Sequence, residues 1–474
     1  MTHPPDCASL RRTTMFADIT PSSPLAVAVL VFCFALVLAF EFSNGFHDTA
    51  NAVATVIYTH TLKPVKAVLL SGVMNFSGVM LGGVAVAFTL VDLLPPDVLT
   101  PPDGNPAIAM LLAVFLASFA WNVATWYLGI PCSSSHAVLG SLLGVAIVSA
   151  LTTSRSVIQG VDWSQVESVL KALLVSPLIG FIGAGLLFRL LQFLVADRHL
   201  FEVATADHPP VWWVRCLLIL TCSGVSFSHG SNDGQKSIGL IMLTVIGIMP
   251  AAFSLNFDLR PDELRSLAAA AQQAVPLIQR YGDDEREIAV RQGSMLVAQL
   301  AGAATLADIP PADRSRLRDA VYRMTAELSA AAENAGIAAA DRTQARQLRA
   351  RLHGAVEYAP LWVRLLSAAC LGLGTMIGYR RIVTTLGERI GNRPLTPAQG
   401  ASAELVGAVV IGTAGFSGLP VSTTHIISAG VAGTMAGSGA GIRRGVVWQI
   451  VIAWVATLPA TTILAGGLFW LLGT

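Results

Sequence analysis

Two hydroxyl-rich motifs stand in matching contexts in this 474-residue chain. Their side chains are Ser133, Ser134, Ser135, Ser422, Thr423 and Thr424. A proline precedes each triplet and an apolar run follows it, which predicts that a helix begins at the hydroxyls. Free N–H groups and hydroxyls at a helix N-terminus bind anions, and the helix dipole favours negative charge there. Ordinary N-capping is the alternative, but it needs one hydroxyl rather than three.

Carboxylates are the second group of side chains that could do chemistry. Glu41, Asp48 and Asp233 adjoin long apolar runs. A charge in such a place is costly unless it faces a polar cavity or a partner. Asp48 and Asp233 occupy equivalent places in two similar motifs, so we interpret them as a site for a cation or a proton. Glu41 is a weaker candidate for the same role, because Ser226 stands at the equivalent position. The alternative is a carboxylate that caps a half-helix or pairs with a neighbouring base.

Basic side chains accompany both motifs. Lys236 could neutralise Asp233 or contact an anion directly, or it could snorkel to an interface. His47 and His229 lie in the acidic motifs, and histidines also follow both hydroxyl triplets. A Ser beside a His suggests a hydrolase, but adjacent residues do not supply nucleophile–base geometry and no third member follows. We therefore expect no enzyme, and histidines that make structural hydrogen bonds or relay protons.

The elements that must position these groups are predicted to be membrane helices. Hydrophobic residues make up 54% of the chain, charged residues only 12%, and the mean hydropathy is +0.64. Several apolar runs reach the ~20 residues that span a bilayer. Shorter runs beside the polar motifs predict broken or re-entrant helices, which need a protein or cavity environment. The net charge of +1 argues against a nucleic-acid surface.

The chain also repeats itself, because an acidic motif followed by a hydroxyl motif occurs twice. We predict a tail at 1–24, a first membrane repeat at 25–200, and a second at 211–256 and 359–474. Between the parts of the second repeat, residues 257–358 carry thirteen Arg and fourteen Asp or Glu. This segment is expected to be a hydrophilic, partly helical insertion outside the membrane.

Orientation follows from basic residues in short loops, which favour the cytoplasm. This rule places loops 59–66 and 379–398 inside, and loop 92–106 and the insertion outside. Matching loops then lie on opposite sides. The predicted fold is an all-α polytopic membrane protein with two inverted repeats of about five segments each, as in secondary transporters with a midplane site.

The motifs resemble the signatures of the inorganic phosphate transporter (Pit) family, and most of all its bacterial low-affinity, proton-coupled members. The similar segments are residues 44–55, 228–236, 358–360 and 420–425. The resemblance extends over 25–253 and 355–474 and includes a variable hydrophilic insertion. It implies symport of inorganic phosphate driven by a cation gradient.

The resemblance further implies individual roles. Sodium-coupled members hold sodium with the signature Asp and the Asn three residues later, which here are Asp48 and Asn51. Lys236 stands at that Asn position in the second motif, so its ammonium is expected to replace one cation and to favour proton coupling. Asn51, Asn232 and Lys236 therefore join the six hydroxyl residues as expected substrate-binding groups.

Bacterial members are also similar in taking phosphate as a neutral complex with a divalent metal such as Mg²⁺. The sequence shows no dedicated metal cage and no cofactor motif, so the metal is treated as cargo. We expect a multi-pass protein of the inner (plasma) membrane whose partners are phosphate, H⁺ or alternatively Na⁺, and the lipid bilayer. A homodimer is compatible with such a chain. Transport of another oxyanion such as sulfate is a rival hypothesis, and the inverted repeat argues against an ion channel.

Overall fold

The computed structural model describes residues 24–91, 93–94, 108–153, 157, 161, 163–248, 253, 255–256, 259–283, 285–303 and 305–473. Within these ranges the regular structure is helical and no strand occurs, which confirms the predicted all-α class. The predicted tail lies almost wholly outside the described residues, and so does most of loop 92–106.

Sixteen α-helices are formed by the described parts of the chain. They are α1 (Pro24–Tyr58), α2 (Pro64–Leu81), α3 (Ala85–Val91), α4 (Ile108–Tyr127), α5 (Ser134–Thr152), α6 (Trp163–Leu194), α7 (Trp212–Ile248), α8 (Pro261–Tyr281), α9 (Arg286–Ala301), α10 (Pro311–Glu333), α11 (Ala339–His353), α12 (Leu361–Thr375), α13 (Arg380–Thr384), α14 (Pro397–Phe416), α15 (Thr423–Ser438) and α16 (Arg444–Gly473). A π-helical turn, Thr385–Arg389, follows α13.

The two acidic motifs lie inside α1 and α7, which continue through them without a break. These helices have 35 and 37 residues, and each extends for roughly 50 Å at about 1.5 Å per residue. The sequence-based expectation of helix breaks beside polar motifs therefore does not hold here. Neither helix contains an interior proline, so the backbone hydrogen-bond ladder is uninterrupted and only the side chains change from apolar to polar.

The hydroxyl motifs do interrupt the helices, as predicted. After α4 the chain turns at Gly129, with φ of 68°, and α5 begins at Ser134. The second half repeats this arrangement, since Gly418 has φ of 71° and α15 begins at Thr423. Glycine is required in this left-handed region because it has no Cβ. The same local geometry therefore aims both hydroxyl triplets along the start of a helix.

Helices of each half pack against helices of the other half. Helix α6 of the first half lies along α15 of the second, and α16 of the second half lies along α5 of the first. In the same way α2 packs against α7, and α12 packs against α1. Each half is therefore completed by the other, which is the pattern that an inverted repeat would produce. The inversion itself remains a prediction.

Six helices among the described residues are long and apolar enough to cross a membrane. They are Val27–Tyr58, Pro64–Leu81, Ile108–Tyr127, Ser134–Thr152, Trp163–Leu194 and Arg444–Gly473. Large apolar side chains on the outer faces of α6 and α16, such as Leu178 (61% exposed) and Val455 (71%), would be costly in water but suit lipid. The chain is accordingly a membrane protein.

Helices α8 to α11 form a separate bundle with a hydrophobic core of its own. Its buried side chains include Leu264, Ile278, Met324 and Leu348. The segment expected to be partly helical thus contains four α-helices among its described residues, of which α10 has 23 residues. Exposed charged residues pair on the bundle surface, where Arg260 contacts Glu263 at 3.1 Å. The location of this bundle outside the membrane remains a prediction.

Candidate functional site

Helices α1 and α7 bring the two signature carboxylates together around an imidazole. The Nε2 atom of His229 lies 3.5 Å from Oδ2 of Asp48 and 3.5 Å from Oδ2 of Asp233. All three side chains are buried, and one potential ligand atom from each lies within 4.8 Å of the others. Carboxylate oxygens and imidazole nitrogens are common ligands of divalent metals. The cluster is thus able to hold a proton or a cation between the two halves.

The orientation of His229 is fixed from its other side by Asn75 on α2. Nδ1 of His229 lies 2.7 Å from Oδ1 of Asn75, and the Asn75 amide donates to Thr375 Oγ1 at 3.2 Å. The carbonyl oxygen can only accept, so Nδ1 carries a hydrogen. Nε2 then faces the carboxylates either with a lone pair, which they repel, or with a second proton, which they attract. This geometry favours a protonated His229.

The sequence analysis gave too little weight to His229 and Asn75 as site residues. His229 was considered only as a structural or relay histidine, and Asn75 was not singled out. Asn75 is an isolated amide in the apolar helix α2, and that signal could have identified it. Burial of an amide in such a helix requires a polar partner.

Lys236 lies at the centre of the site and is only 1% exposed. Its ammonium donates to Asp233 Oδ1 at 2.7 Å, to the Val421 carbonyl at 3.1 Å, and to the Ser135 hydroxyl. The predicted neutralisation of Asp233 is confirmed, and snorkelling to an interface is excluded by the burial. A carboxylate, a carbonyl and a hydroxyl are also the kind of oxygen ligands that bind hard cations.

The tips of the two hydroxyl motifs meet directly. Ser133 and Ser422 act as N-caps, since each accepts a hydrogen bond from the backbone N–H three residues later, at 3.2 Å. Ser135 donates to the Val421 carbonyl at 2.9 Å, and the rings of His136 and His425 are 4.7 Å apart. The N-termini of α5 and α15 therefore converge, and so do the positive ends of their dipoles.

The second hydroxyl motif also reaches both carboxylates. Thr424 donates a hydrogen bond to Asp48 Oδ1, and Thr423 donates to Asp233 Oδ1 at 3.3 Å. Asn51 donates from Nδ2 to Thr424 Oγ1 at 3.0 Å and to Asp48 Oδ1 at 3.3 Å. The structure thus joins the hydroxyl groups and the carboxylates of Asp48 and Asp233 in one hydrogen-bonded network.

Other predicted site residues lie at the edge of this network. Asn232 donates to the Leu419 carbonyl at 3.2 Å, and so contacts the second hydroxyl loop through its backbone. Ser134 is buried in the first turn of α5. Glu41 is fully buried on α1, two helical turns before Asp48, and is not hydrogen-bonded to the cluster.

A further buried acid escaped the sequence analysis. Glu404 on α14 is fully buried, and Thr221 donates to its Oε2 at 2.6 Å. Its Oε1 has no hydrogen-bond partner in the described part of the chain. The residue is the lone acid in an apolar run, which is the signal that could have revealed it.

The charges of the central cluster decide what it can bind. With His229 neutral, the carboxylates of Asp48 and Asp233 exceed the single ammonium of Lys236 by one negative charge. Protonation of His229, or arrival of a cation, removes that excess. Two helix N-termini next to this cluster favour an oxyanion. Cation and oxyanion can therefore bind in contact with each other.

Comparison with known proteins identifies relatives whose descriptions agree with one another. A family model described as the phosphate transporter family matches residues 44–465. The chain is 39% identical to the low-affinity inorganic phosphate transporter PitA of Escherichia coli (strain K12), over 94% of this chain and 96% of that protein. It is 29% identical to a probable low-affinity inorganic phosphate transporter of Bacillus subtilis (strain 168), over 92% and 94%.

A solved structure has a similar fold. It is titled the sodium-dependent phosphate transporter, and the comparison covers 94% of this chain and 99% of that one with a TM-score of 0.53. The sequence identity is 19%, so the likeness concerns the fold alone.

Proposed function

This chain belongs to the phosphate transporter family, as its motifs predicted, and we propose that it is a secondary active symporter of inorganic phosphate in the inner (plasma) membrane. Its relatives are named as transporters, which confirms the expectation of a transporter rather than an enzyme. Phosphate binds between the two hydroxyl motifs, and the acidic cluster holds the coupling charge.

The hydrogen bond from Thr424 to Asp48 is the observation that carries this proposal. A phosphate oxygen at the tip of α15 competes with Asp48 for the hydrogen of that hydroxyl. While Asp48 is charged, it keeps the hydroxyl and repels the anion. When a proton or cation neutralises the cluster, the hydroxyl is released to phosphate. Binding of the cation and binding of phosphate then favour each other, as symport requires.

The proposed coupling ion is the proton. Lys236 already supplies a fixed positive charge at the Asp233 half of the cluster, through three hydrogen bonds. His229 is placed to accept a mobile proton between the two carboxylates. A sodium ion beside Asp233 would have to displace the ammonium.

The proposed substrate is phosphate in a neutral complex with a divalent metal such as Mg²⁺. A phosphate dianion alone would approach a cluster that already has a negative excess, whereas a neutral complex adds no net charge. With the mobile proton on His229, the clustered carboxylate oxygens of Asp48 and Asp233 are the atoms that can still contact such a metal. The metal is cargo in this scheme.

Uptake of labelled phosphate into proteoliposomes tests the proposal. A pH gradient is imposed with Mg²⁺ present, with and without a sodium gradient. We expect uptake that depends on the pH gradient, stops with a protonophore, and falls when Mg²⁺ is chelated. Absence of phosphate uptake by folded protein under every gradient would refute the proposal.

Sodium coupling is the second candidate, because the Asp48–Asn51 pair of the sodium-type pattern is intact, at 3.3 Å. Uptake driven only by the sodium gradient would establish it and would leave the phosphate assignment in place. Transport of a different oxyanion would appear as inhibition by an equal concentration of sulfate.

A further inference from the structure

Two adjoining cavities lie against α15 and α16, and α6 also lines the inner one; no residue of the acidic cluster lines either. The inner one has a volume of about 550 Å³ and the outer one about 470 Å³. Ile442 and Val447 line both, so the cavities adjoin at these two residues, and we call the pair the recess. Each volume is within the ~300–1,000 Å³ that is usual for small-molecule sites.

The outer part of the recess has the chemistry of a membrane interface. Arg444 lines it at the first residue of α16, where a candidate membrane span begins. Trp448, one turn further, also lines it and is 65% exposed. Tryptophan is enriched at the depth of lipid headgroups. Arg443 is exposed beside Arg444, and neither forms a salt bridge to a described residue.

The inner part is apolar and opens towards lipid. Its walls include Leu174, Leu178 and Val455, which are more than half exposed on the outer faces of α6 and α16. A flexible hydrocarbon chain can enter between these helices from the bilayer. Ala429 and Ala432 of α15 form the opposite wall, and their small side chains leave the space open.

We propose that this recess binds one anionic phospholipid, with its headgroup at Arg443 and Arg444 and one acyl chain in the cavity between α6, α15 and α16. Two guanidinium groups complement an anionic phosphate headgroup. Short-loop arginines also favour the cytoplasmic leaflet, where anionic lipids are concentrated.

The inner end of the recess limits how far the acyl chain of the lipid extends. His425 and Ser428 line it, and their Nε2 and Oγ atoms have no hydrogen-bond partner within the described ranges. An acyl chain cannot satisfy these polar atoms, so the acyl chain ends short of them.

The bound acyl chain would contact a helix that carries part of the proposed phosphate site. It packs against α15, whose first residues Thr423 and Thr424 contact the signature carboxylates. Any movement of α15 against α6 changes the width of the recess. A lipid bound here therefore contacts the hydroxyl-motif helix directly, while its binding is independent of which substrate is carried.

Native mass spectrometry of the purified full-length protein tests the site. Phosphatidylglycerol or phosphatidylcholine is added at equal concentration. We expect an adduct that is about tenfold more abundant with phosphatidylglycerol, a difference of about 1.4 kcal/mol. The double variant Arg443→Gln/Arg444→Gln and the cavity-filling variant Ala432→Phe should each lose it. The control Lys63→Gln/Lys66→Gln removes two exposed charges of the same predicted face and should keep it.

Three results would overturn the assignment. Equal retention of both lipids would show that the headgroup has no role. Retention of phosphatidylglycerol by the arginine double variant would show that the lipid binds elsewhere. Displacement of phosphatidylglycerol by inorganic phosphate alone would instead identify a free-anion site. The arginines are exposed and their replacement should not disturb folding, so the test does not depend on Ala432→Phe. The readout involves no phosphate uptake, and failure here is distinguishable from failure of the proposed function.

Discussion

Thr424 donates a hydrogen bond to Asp48, although the two residues lie 376 positions apart in the chain. The hydroxyl motif of the second half therefore contacts the carboxylate of the first. A reciprocal contact exists, because Lys236 of the second half donates to Ser135 of the first. The site cannot form within one half, and relative movement of the halves must break or remake these bonds.

Two substitutions of Thr424 test the role of its hydroxyl separately from the role of its side-chain shape. Thr424→Val keeps the volume but loses the donor to a charged acceptor, a bond of about 1.5–3 kcal/mol. We expect phosphate uptake to fall by about tenfold or more, while Thr424→Ser keeps most of it. Uptake is measured in proteoliposomes at matched protein content. Equal uptake by the Val and Ser variants would show that the hydroxyl has no part in transport.

Neutralising the signature acids tests the coupling role. Asp48→Asn and Asp233→Asn should each abolish uptake while the protein remains in the membrane, because a neutral amide removes the negative charge that attracts the coupling proton or cation to the cluster. Membrane content by immunoblot accompanies the uptake assay. Asp197→Asn lies outside the cluster, where Asp197 contacts His199 and Trp213, and should retain uptake. Full uptake by either signature variant would contradict the mechanism.

Lys236 can be exchanged for the residue of the sodium-type pattern. Lys236→Asn removes the fixed ammonium and leaves Asp233 buried without its charge partner, which in general costs ~3–5 kcal/mol. Sodium can offset that loss by occupying the vacated oxygen ligands. We therefore expect uptake driven by pH to disappear and sodium-stimulated uptake to emerge. Undiminished proton-driven uptake would show that the ammonium is not the fixed cation, and Lys66→Asn is the exposed control.

His229 is the proposed carrier of the mobile proton. His229→Gln keeps a polar side chain near Asn75 but removes the titrating ring. Net uptake driven by the pH gradient should fall by about tenfold, or 1.4 kcal/mol, whereas exchange of internal for external phosphate needs no net proton movement and should persist. His199→Gln, on an exposed histidine, should change neither. Loss of exchange together with net uptake would indicate a structural role for His229.

Much of this architecture was accessible from the sequence. The proline and glycine beside each hydroxyl triplet fix where a helix must restart, so the starts of α5 and α15 were predicted. Equivalence of Asp48 and Asp233 followed from repeated motifs, and the pairing of Lys236 with Asp233 was one of the alternatives that the sequence left open. These predictions rest on local spacing, which a single chain displays directly.

The remaining features depend on long-range packing. No local pattern shows that Asn75 of α2 meets His229 of α7, or that Thr221 reaches Glu404. The continuity of α1 and α7 through their polar motifs was also missed. Polar side chains suggested a break, but the neighbouring helices satisfy them and the backbone ladder is left intact.

The contact between α2 and α7 gives a prediction about stability. At Gly230 an added Cβ would lie 2.8 Å from the Cα of Asn75, a backbone atom that cannot move without separating the two helices. Gly230→Ala should therefore destabilise the protein by about 1–3 kcal/mol and displace Asn75 from His229. Gly467→Ala is the matched control, because nothing lies within 4 Å of its Cβ position and alanine favours a helix. Thermal unfolding in detergent should show a lower midpoint for Gly230→Ala only, with a parallel loss of uptake. An equal midpoint for both variants would mean that α2 and α7 are not in the close contact that orients His229.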